Sequence, residues 1–161
     1  MEIGVCRFKN IDNVTCYMNS ILAIIQQMPI FADYLLTIKD GGIVGKLGKL
    51  MYESHTRDDD ILTPKSFRIE ISKKNNMWGM REQQDSQEFL NFLLSSIEEE
   101  IKDKVIFVPG RKFNMDKEGL LYDTVQKIHM NIMKQKSMMN EYSIIKKLFS
   151  GMIHNTIKCN Y

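Results

Sequence analysis

The sequence predicts a mainly α-helical chain, and three observations carry that expectation. Apolar residues recur at helical spacing in two long segments, near 17–28 and 86–101. Proline and glycine fall in the intervals between such segments, where helices stop. Strand-like alternation is scarce until the last ten residues.

The elements follow in order. Tyr17 to Met28 places Met18, Ile21, Leu22, Ile25 and Met28 on one helical face. Pro29 ends that segment, because proline lacks an amide donor and disfavours helix at the residue before it. A short helix over Phe31–Thr37 stops at Asp40-Gly41-Gly42. A third, over Ile43–Glu53, presents Val44, Leu47, Leu50 and Met51 on one side. Its Gly45 and Gly48 weaken it by about 1 kcal/mol each relative to alanine. Asp58-Asp59-Asp60 reads as a solvated loop, and Thr63-Pro64 starts a further turn or helix. Ser86–Ile101 is the clearest helix: Asp85 and Glu88 form a capping-box pair, and Phe89, Phe92, Leu93, Ile97 and Ile101 make the apolar stripe. Val105–Val108 reads as a short strand closed by Pro109-Gly110. A helix or helix pair is expected between Leu120 and Phe149, broken near Lys136-Ser137, and the tail Met152–Cys159 reads as a β-strand at the C-terminal end.

With 161 residues, 43% of them hydrophobic and 26% charged, the chain is long enough for one packed domain. Net charge is +2, with 10 basic and 9 acidic side chains in residues 1–80 and 12 and 11 in the remainder, so no half is built for a polyanion. Nucleic acid is therefore not an expected partner. No apolar run reaches the ~18–20 residues that span a bilayer, so no membrane partner is expected. Cys6, Cys16 and Cys159 are odd in number and far apart, which argues against a disulfide framework. An intracellular location, cytoplasmic or nuclear, follows as the expectation.

Cys16 stands where the loop Asn10-Ile11-Asp12-Asn13-Val14-Thr15 meets the first long helix. A thiol at a helix N-terminus feels the positive end of the macrodipole, which favours the nucleophilic thiolate. The plainer reading is a small hydrophobe on the helix's first turn.

The surrounding residues favour chemistry. Thr15-Cys16-Tyr17-Met18-Asn19-Ser20 resembles the active-site cysteine box of the ubiquitin-specific proteases, papain-like thiol peptidases that carry out deubiquitination. Gln83-Gln84-Asp85-Ser86-Gln87-Glu88-Phe89-Leu90 resembles the family's Gln-Gln-Asp box. Ile145-Lys146-Lys147-Leu148-Phe149-Ser150-Gly151, with Cys159 beyond it, looks like the strand leaving the helical thumb for the zinc-bearing fingers. The resemblance implies the thumb half of a fold that is α+β when complete, covering residues 1–161. The cysteine box lies near 10–20, the Gln-Gln-Asp box at 83–90, and the start of the fingers near 149–161.

By that resemblance Cys16 is the nucleophile toward the carbonyl of ubiquitin's last glycine. Gln84 and Asp85, together with Tyr17, contact the substrate, whose extended tail runs through their channel. Asp85 equally fits as the cap of its helix. The oxyanion hole is open between two asparagines. Asn10 serves if one residue is inserted before Cys16, whereas Asn13 is nearer but occupies a position that is usually glycine. The family's histidine block, His-x-Gly-x-x-x-Gly-His-Tyr in type, is not found before Tyr161, so the domain reads as truncated ahead of its general base. His55 reads as surface, His129 as part of a Met-rich helix, and His154 as part of a strand. No zinc, other metal or cofactor is expected, since Cys159 alone supplies one ligand of the four a structural zinc takes.

The expected partner is ubiquitin or a ubiquitin-conjugated protein. A second chain, or self-association, would cover the exposed thumb face. The alternative is a catalytically inactive, pseudoprotease-like module that binds ubiquitin or another protein. Methionines over Met115–Met139 read as core filler or as a versatile binding surface.

Overall fold

The computed structural model describes residues 6–38, 41–57, 61–102, 127–128, 130–133, 143–151 and 153. Contacts divide the chain into two compact units, Met1–Glu100 and Ile101–Tyr161. The described residues are mostly helical, as the periodicity predicts.

In the first unit the order is β1 (Arg7–Phe8), α1 (Cys16–Gln26), α2 (Pro29–Thr37), α3 (Gly42–Thr56), β2 (Ile61–Leu62), α4 (Lys65–Lys74) and α5 (Ser86–Ile101). Short 3₁₀ turns at Ile11–Asn13 and Asn76–Gly79 lead toward α1 and α5. Ser86–Ile101 is the span the sequence predicts. Pro29 acts differently from expectation. It occupies the first turn of α2, where its missing N–H has no helical partner to lose and its fixed φ suits the helix.

Two features were not legible. The helix α4 emerges where the sequence reads only as a turn or helix start at Thr63-Pro64, and its mixed face of Phe67, Arg68 and Ile71 is nonetheless buried. The strands β1 and β2 pair in parallel, Arg7 opposite Ile61 and Phe8 opposite Leu62. Lys9 N–H extends the ladder to the Leu62 carbonyl at 2.7 Å. Two residues per strand are too few to show a period of two.

The core is continuous across α1–α5. Met18, Leu22, Phe31, Leu35, Leu47, Met51, Phe67, Ile71, Trp78, Phe89, Leu93 and Ile97 are all buried. Two long-range polar contacts fix the ends of elements within it. Glu100 caps α3 from α5, its carboxylate oxygens accepting from Ile43 N–H at 3.1 Å and Val44 N–H at 2.9 Å. Gln26, with its amide turned to satisfy both groups, donates to the Cys6 carbonyl and accepts from the Cys6 N–H, each at 3.3 Å. No single helix among the described residues is long and apolar enough to cross a membrane.

In the second unit the described helix α6 runs over Ile144–Phe149, with the Ser143 hydroxyl accepting from Lys146 N–H at 3.1 Å. Within the expected span Leu120–Phe149, the described residues 127–128, 130–133 and Ile144–Phe149 are helical. The strand that the resemblance placed over Ile145–Gly151 is not: the Ser143 cap and the apolar series Ile144, Ile145 and Leu148 select helix. The expected strands at Val105–Val108 and Met152–Cys159, and most of the Met-rich stretch, lie outside the described residues.

Candidate active site

Cys16 is the first residue of α1 and is exposed. The loop before it is closed by its own side chains. The Asn10 Oδ1 accepts from Thr15 N–H at 2.7 Å and from the Thr15 hydroxyl at 3.2 Å. That hydroxyl in turn accepts from Ile11 N–H at 2.8 Å. Thr15 is fully buried and Asn10 is exposed, so the ring spans the surface, and its next residue is the cysteine. Asp12 and Asn13 both occupy the left-handed region, with φ of 53° and 60°. Aspartate and asparagine tolerate that region better than other side-chain-bearing residues, which is how Asn13 stands where glycine is usual. The first intrahelical bond of α1 is Asn19 N–H to Thr15 carbonyl at 3.0 Å. The N–H groups of Cys16, Tyr17 and Met18 therefore point out of the helix end unpaired by it.

An aromatic cluster brings the starts of α1 and α5 together. The Tyr17 ring lies 5.3 Å from Phe89 and 5.7 Å from Trp78 between centroids. Trp78 lies 5.1 Å from Phe89 and 5.2 Å from Phe92. Tyr17 follows Cys16, and Phe89 is one turn into the helix that Asp85 precedes. The residues that follow Cys16 and the Gln-Gln-Asp segment thus pack together from two helix N-termini, each carrying partial positive charge.

Below this cluster a single cation holds two loops. Arg68, 8% exposed on α4, places Nη1 3.0 Å from Asp12 Oδ2 in the cysteine loop. Its Nε donates to the Trp78 carbonyl at 3.4 Å, and its Nη2 to the carbonyls of Gly79 at 3.4 Å and Met80 at 2.7 Å. Arg81 adds a looser, solvent-exposed approach to Asp12, 3.7 Å from Nε to Oδ2. A hollow of about 410 Å³ opens beside these groups, walled by Ile11, Asp12, Arg68 and Arg81 among others.

The expected site residues take the following places. Asp85 is exposed and its Oδ1 accepts from Glu88 N–H at 2.8 Å, so the capping role is formed. Gln84 is half-buried immediately before it. Tyr17 is 4% exposed and its hydroxyl donates to the Trp78 carbonyl at 3.4 Å. Its ring is packed against Trp78 and Phe89 in the aromatic cluster. Burial pushes its phenol above the ordinary value; the Arg68 cation pulls it back, and Cys16 adds to the rise. His55 is exposed on α3 with Nδ1 2.7 Å from the Met51 carbonyl of its own helix. His129, His154 and Cys159 lie outside the described residues. Among the described residues no three His, Cys, Asp or Glu side chains gather as a metal site.

Comparison with known proteins bears on this arrangement. The profile of the family described as ubiquitin carboxyl-terminal hydrolase matches residues 6–161, nearly the whole chain. The chain belongs to the ubiquitin carboxyl-terminal hydrolase family. It is similar to Drosophila melanogaster "Ubiquitin carboxyl-terminal hydrolase Usp2", 29% identical over 97% of this chain and 16% of the relative. It is 31% identical to Schizosaccharomyces pombe "Probable ubiquitin carboxyl-terminal hydrolase 1", over 99% of this chain and 20% of that one. The human "Ubiquitin carboxyl-terminal hydrolase 2" is 27% identical over 97% of this chain and 27% of its own length. The chain therefore spans about a quarter or less of the curated relatives it matches.

Within this ubiquitin carboxyl-terminal hydrolase segment, reasoning from sequence missed Asp12, Arg68 and Trp78. Arg68 gave no signal, since an arginine between Phe67 and Ile69 reads as surface charge. Trp78 carried a weak one: it is the chain's single tryptophan, five residues ahead of the Gln-Gln-Asp box.

Proposed function

We propose that this chain supplies the nucleophile and tail channel of a thiol-dependent deubiquitinase domain, with ubiquitin or a ubiquitin-conjugated protein as substrate. The observation that supports it most is the exposed Cys16 at a helix start, beside a second helix start that carries Asp85. The Cys16 sulfur attacks the carbonyl carbon of ubiquitin's last glycine. The bond from that carbon to the departing amine breaks, and the amine leaves with a proton. Water then cleaves the thioester, releasing a carboxylate and restoring the thiol.

The tetrahedral oxyanion needs donors already aimed at it. The Cys16 N–H is one. Asn10 is the second: its Oδ1 is committed to Thr15, which leaves its N–H₂ as the donating end. Asn13 is held in the left-handed turn and serves the loop's shape. In this reading Gln84 and the second oxygen of Asp85 hydrogen-bond the extended backbone of the ubiquitin tail. General acid–base help is worth about 10²–10⁴-fold, and His55, tied to its own helix, does not provide it.

Ubiquitin carrying a C-terminal electrophile tests this reading, because trapping needs the thiolate and the channel but no leaving-amine proton. Intact mass should show one adduct on the wild-type chain and none on Cys16→Ser. Measurable ubiquitin binding without an adduct would replace the enzyme with a non-catalytic ubiquitin-binding module. Neither adduct nor binding would remove ubiquitin from the account.

A further inference from the structure

We propose that Arg68 is a positioning residue for the thiol chemistry, acting through Asp12 on the nucleophile loop and through three carbonyls on the segment before the Gln-Gln-Asp box. The inference rests on the deubiquitinase reading and assigns to that site a residue outside both of its sequence motifs.

The geometry is that of a two-armed clamp. A guanidinium is a rigid fork with five N–H donors, and this one reaches four acceptors on two loops. One arm ends on Asp12, which with Asn13 takes the left-handed conformation in the cysteine loop, at φ of 53° and 60°. The Asn10–Thr15 bonds close the loop, and the Arg68–Asp12 pair holds the turn between those two residues, where the chain runs from the Asn10 amide toward the Cys16 N–H. The other arm holds Trp78, Gly79 and Met80, after which only Arg81 and Glu82 separate the chain from Gln83. A lysine cannot reproduce this, since one ammonium cannot span both loops from a single point. Arg68 is nearly fully buried, while its Asp12 partner is exposed at the hollow beside them.

The two arms make separable predictions. Asp12→Asn keeps a residue that tolerates the left-handed region but removes the charge, so it loosens the cysteine loop and the solvent-exposed Arg81 approach while leaving the three carbonyl bonds of Arg68 in place. Its maximal rate of trapping by ubiquitin with a C-terminal electrophile should fall by about 10-fold or more, approaching the loss of one oxyanion donor. The concentration giving half that rate should stay within about threefold, because the Trp78–Met80 arm is untouched. Arg68→Lys should worsen both quantities. Alkylation of Cys16 by iodoacetamide, which uses neither channel nor oxyanion site, should remain within about twofold in both variants. Helical circular dichroism would show that each variant is folded.

The outcomes separate cleanly. A wild-type chain alkylated by iodoacetamide but untouched by the ubiquitin electrophile would sink the deubiquitinase reading and the positioning role with it. A wild-type chain that is trapped, with Asp12→Asn trapped at the same maximal rate, would overturn the positioning role and leave the enzyme reading standing. Parallel losses of trapping and iodoacetamide reactivity would reduce Arg68 to a structural residue and overturn the proposal as well.

Discussion

Tyr17, in the cysteine motif, contributes packing and one hydrogen bond to the aromatic cluster. Its neighbour Cys16 faces solvent, while its own ring is enclosed by Trp78 and Phe89 and its hydroxyl bonds the Trp78 carbonyl. Replacing it with phenylalanine keeps the packing and removes one hydrogen bond, which at 3.4 Å belongs at the weak end of the usual range. Tyr17→Phe should therefore lower stability by only about 0.5–1 kcal/mol near neutral pH. Its titration is the sharper test. Burial raises the phenol's pKa above the ordinary tyrosine value of about 10. A group whose folded pKa is raised lends stability that is complete below its unfolded pKa and is lost as pH climbs through the folded one. Wild-type melting temperature should thus drop more steeply above pH ~10 than that of Tyr17→Phe. Tyrosinate absorbance should show a late-titrating phenol that is missing from the variant. Equal alkaline slopes in the two proteins would mean that Tyr17 is open to solvent.

At the scale of elements, Gly48 decides how closely two helices pack. Its α-helix, α3, would gain about 1 kcal/mol from alanine by propensity alone. The structure reverses that sign. A Cβ at Gly48 would stand 2.5 Å from the Leu35 carbonyl oxygen of α2, a backbone atom that cannot swing aside. Overpacking of this kind costs about 1–3 kcal/mol, so Gly48→Ala should be net destabilising by up to about 2 kcal/mol. A urea midpoint at or above the wild-type value would show that the two helices separate freely.

The same position explains what sequence reveals and what it withholds. Periodicity found α1, α2, α3 and α5, because each has a repeating apolar face and a cap or breaker at its ends. It read Gly48 only as a weakness, since the contact that requires glycine lies on another element. The strands β1 and β2 are too short to carry a pattern, and α4 hides because a buried Arg68 looks like a solvated one. The candidate site divides likewise. Cys16, Asn10, Gln84 and Asp85 were named from two motifs. Asp12 and Arg68 lie 56 residues apart, and nothing in local sequence couples them.

For the whole molecule, the contact division after Glu100 makes a claim about independent stability. The first unit encloses its own core, from Met18 and Leu22 through Phe67 and Trp78 to Phe89, Leu93 and Ile97. About 100 residues are enough to fold alone without metal or disulfide. A fragment of residues 1–102 should therefore melt cooperatively, with helical circular dichroism and an exposed Cys16 that alkylates at the full-length rate. Where the fragment ends matters more than its length suggests. Glu100 is the group that satisfies Ile43 N–H and Val44 N–H at the start of α3, where no local side chain does so. Ending the fragment at residue 98 leaves those donors to water and removes negative charge from the helix's positive end. Loss of such a cap costs about 0.5–2 kcal/mol, which for a domain near 100 residues lowers the melting temperature by several degrees. Full-length Glu100→Gln should fall between the two, since a neutral amide oxygen accepts one of the two bonds but carries no charge toward the dipole. A 1–98 fragment as stable as 1–102 would locate the stabilising contact elsewhere. A 1–102 fragment without a cooperative transition would show that Ile101–Tyr161 is needed for the first unit to fold.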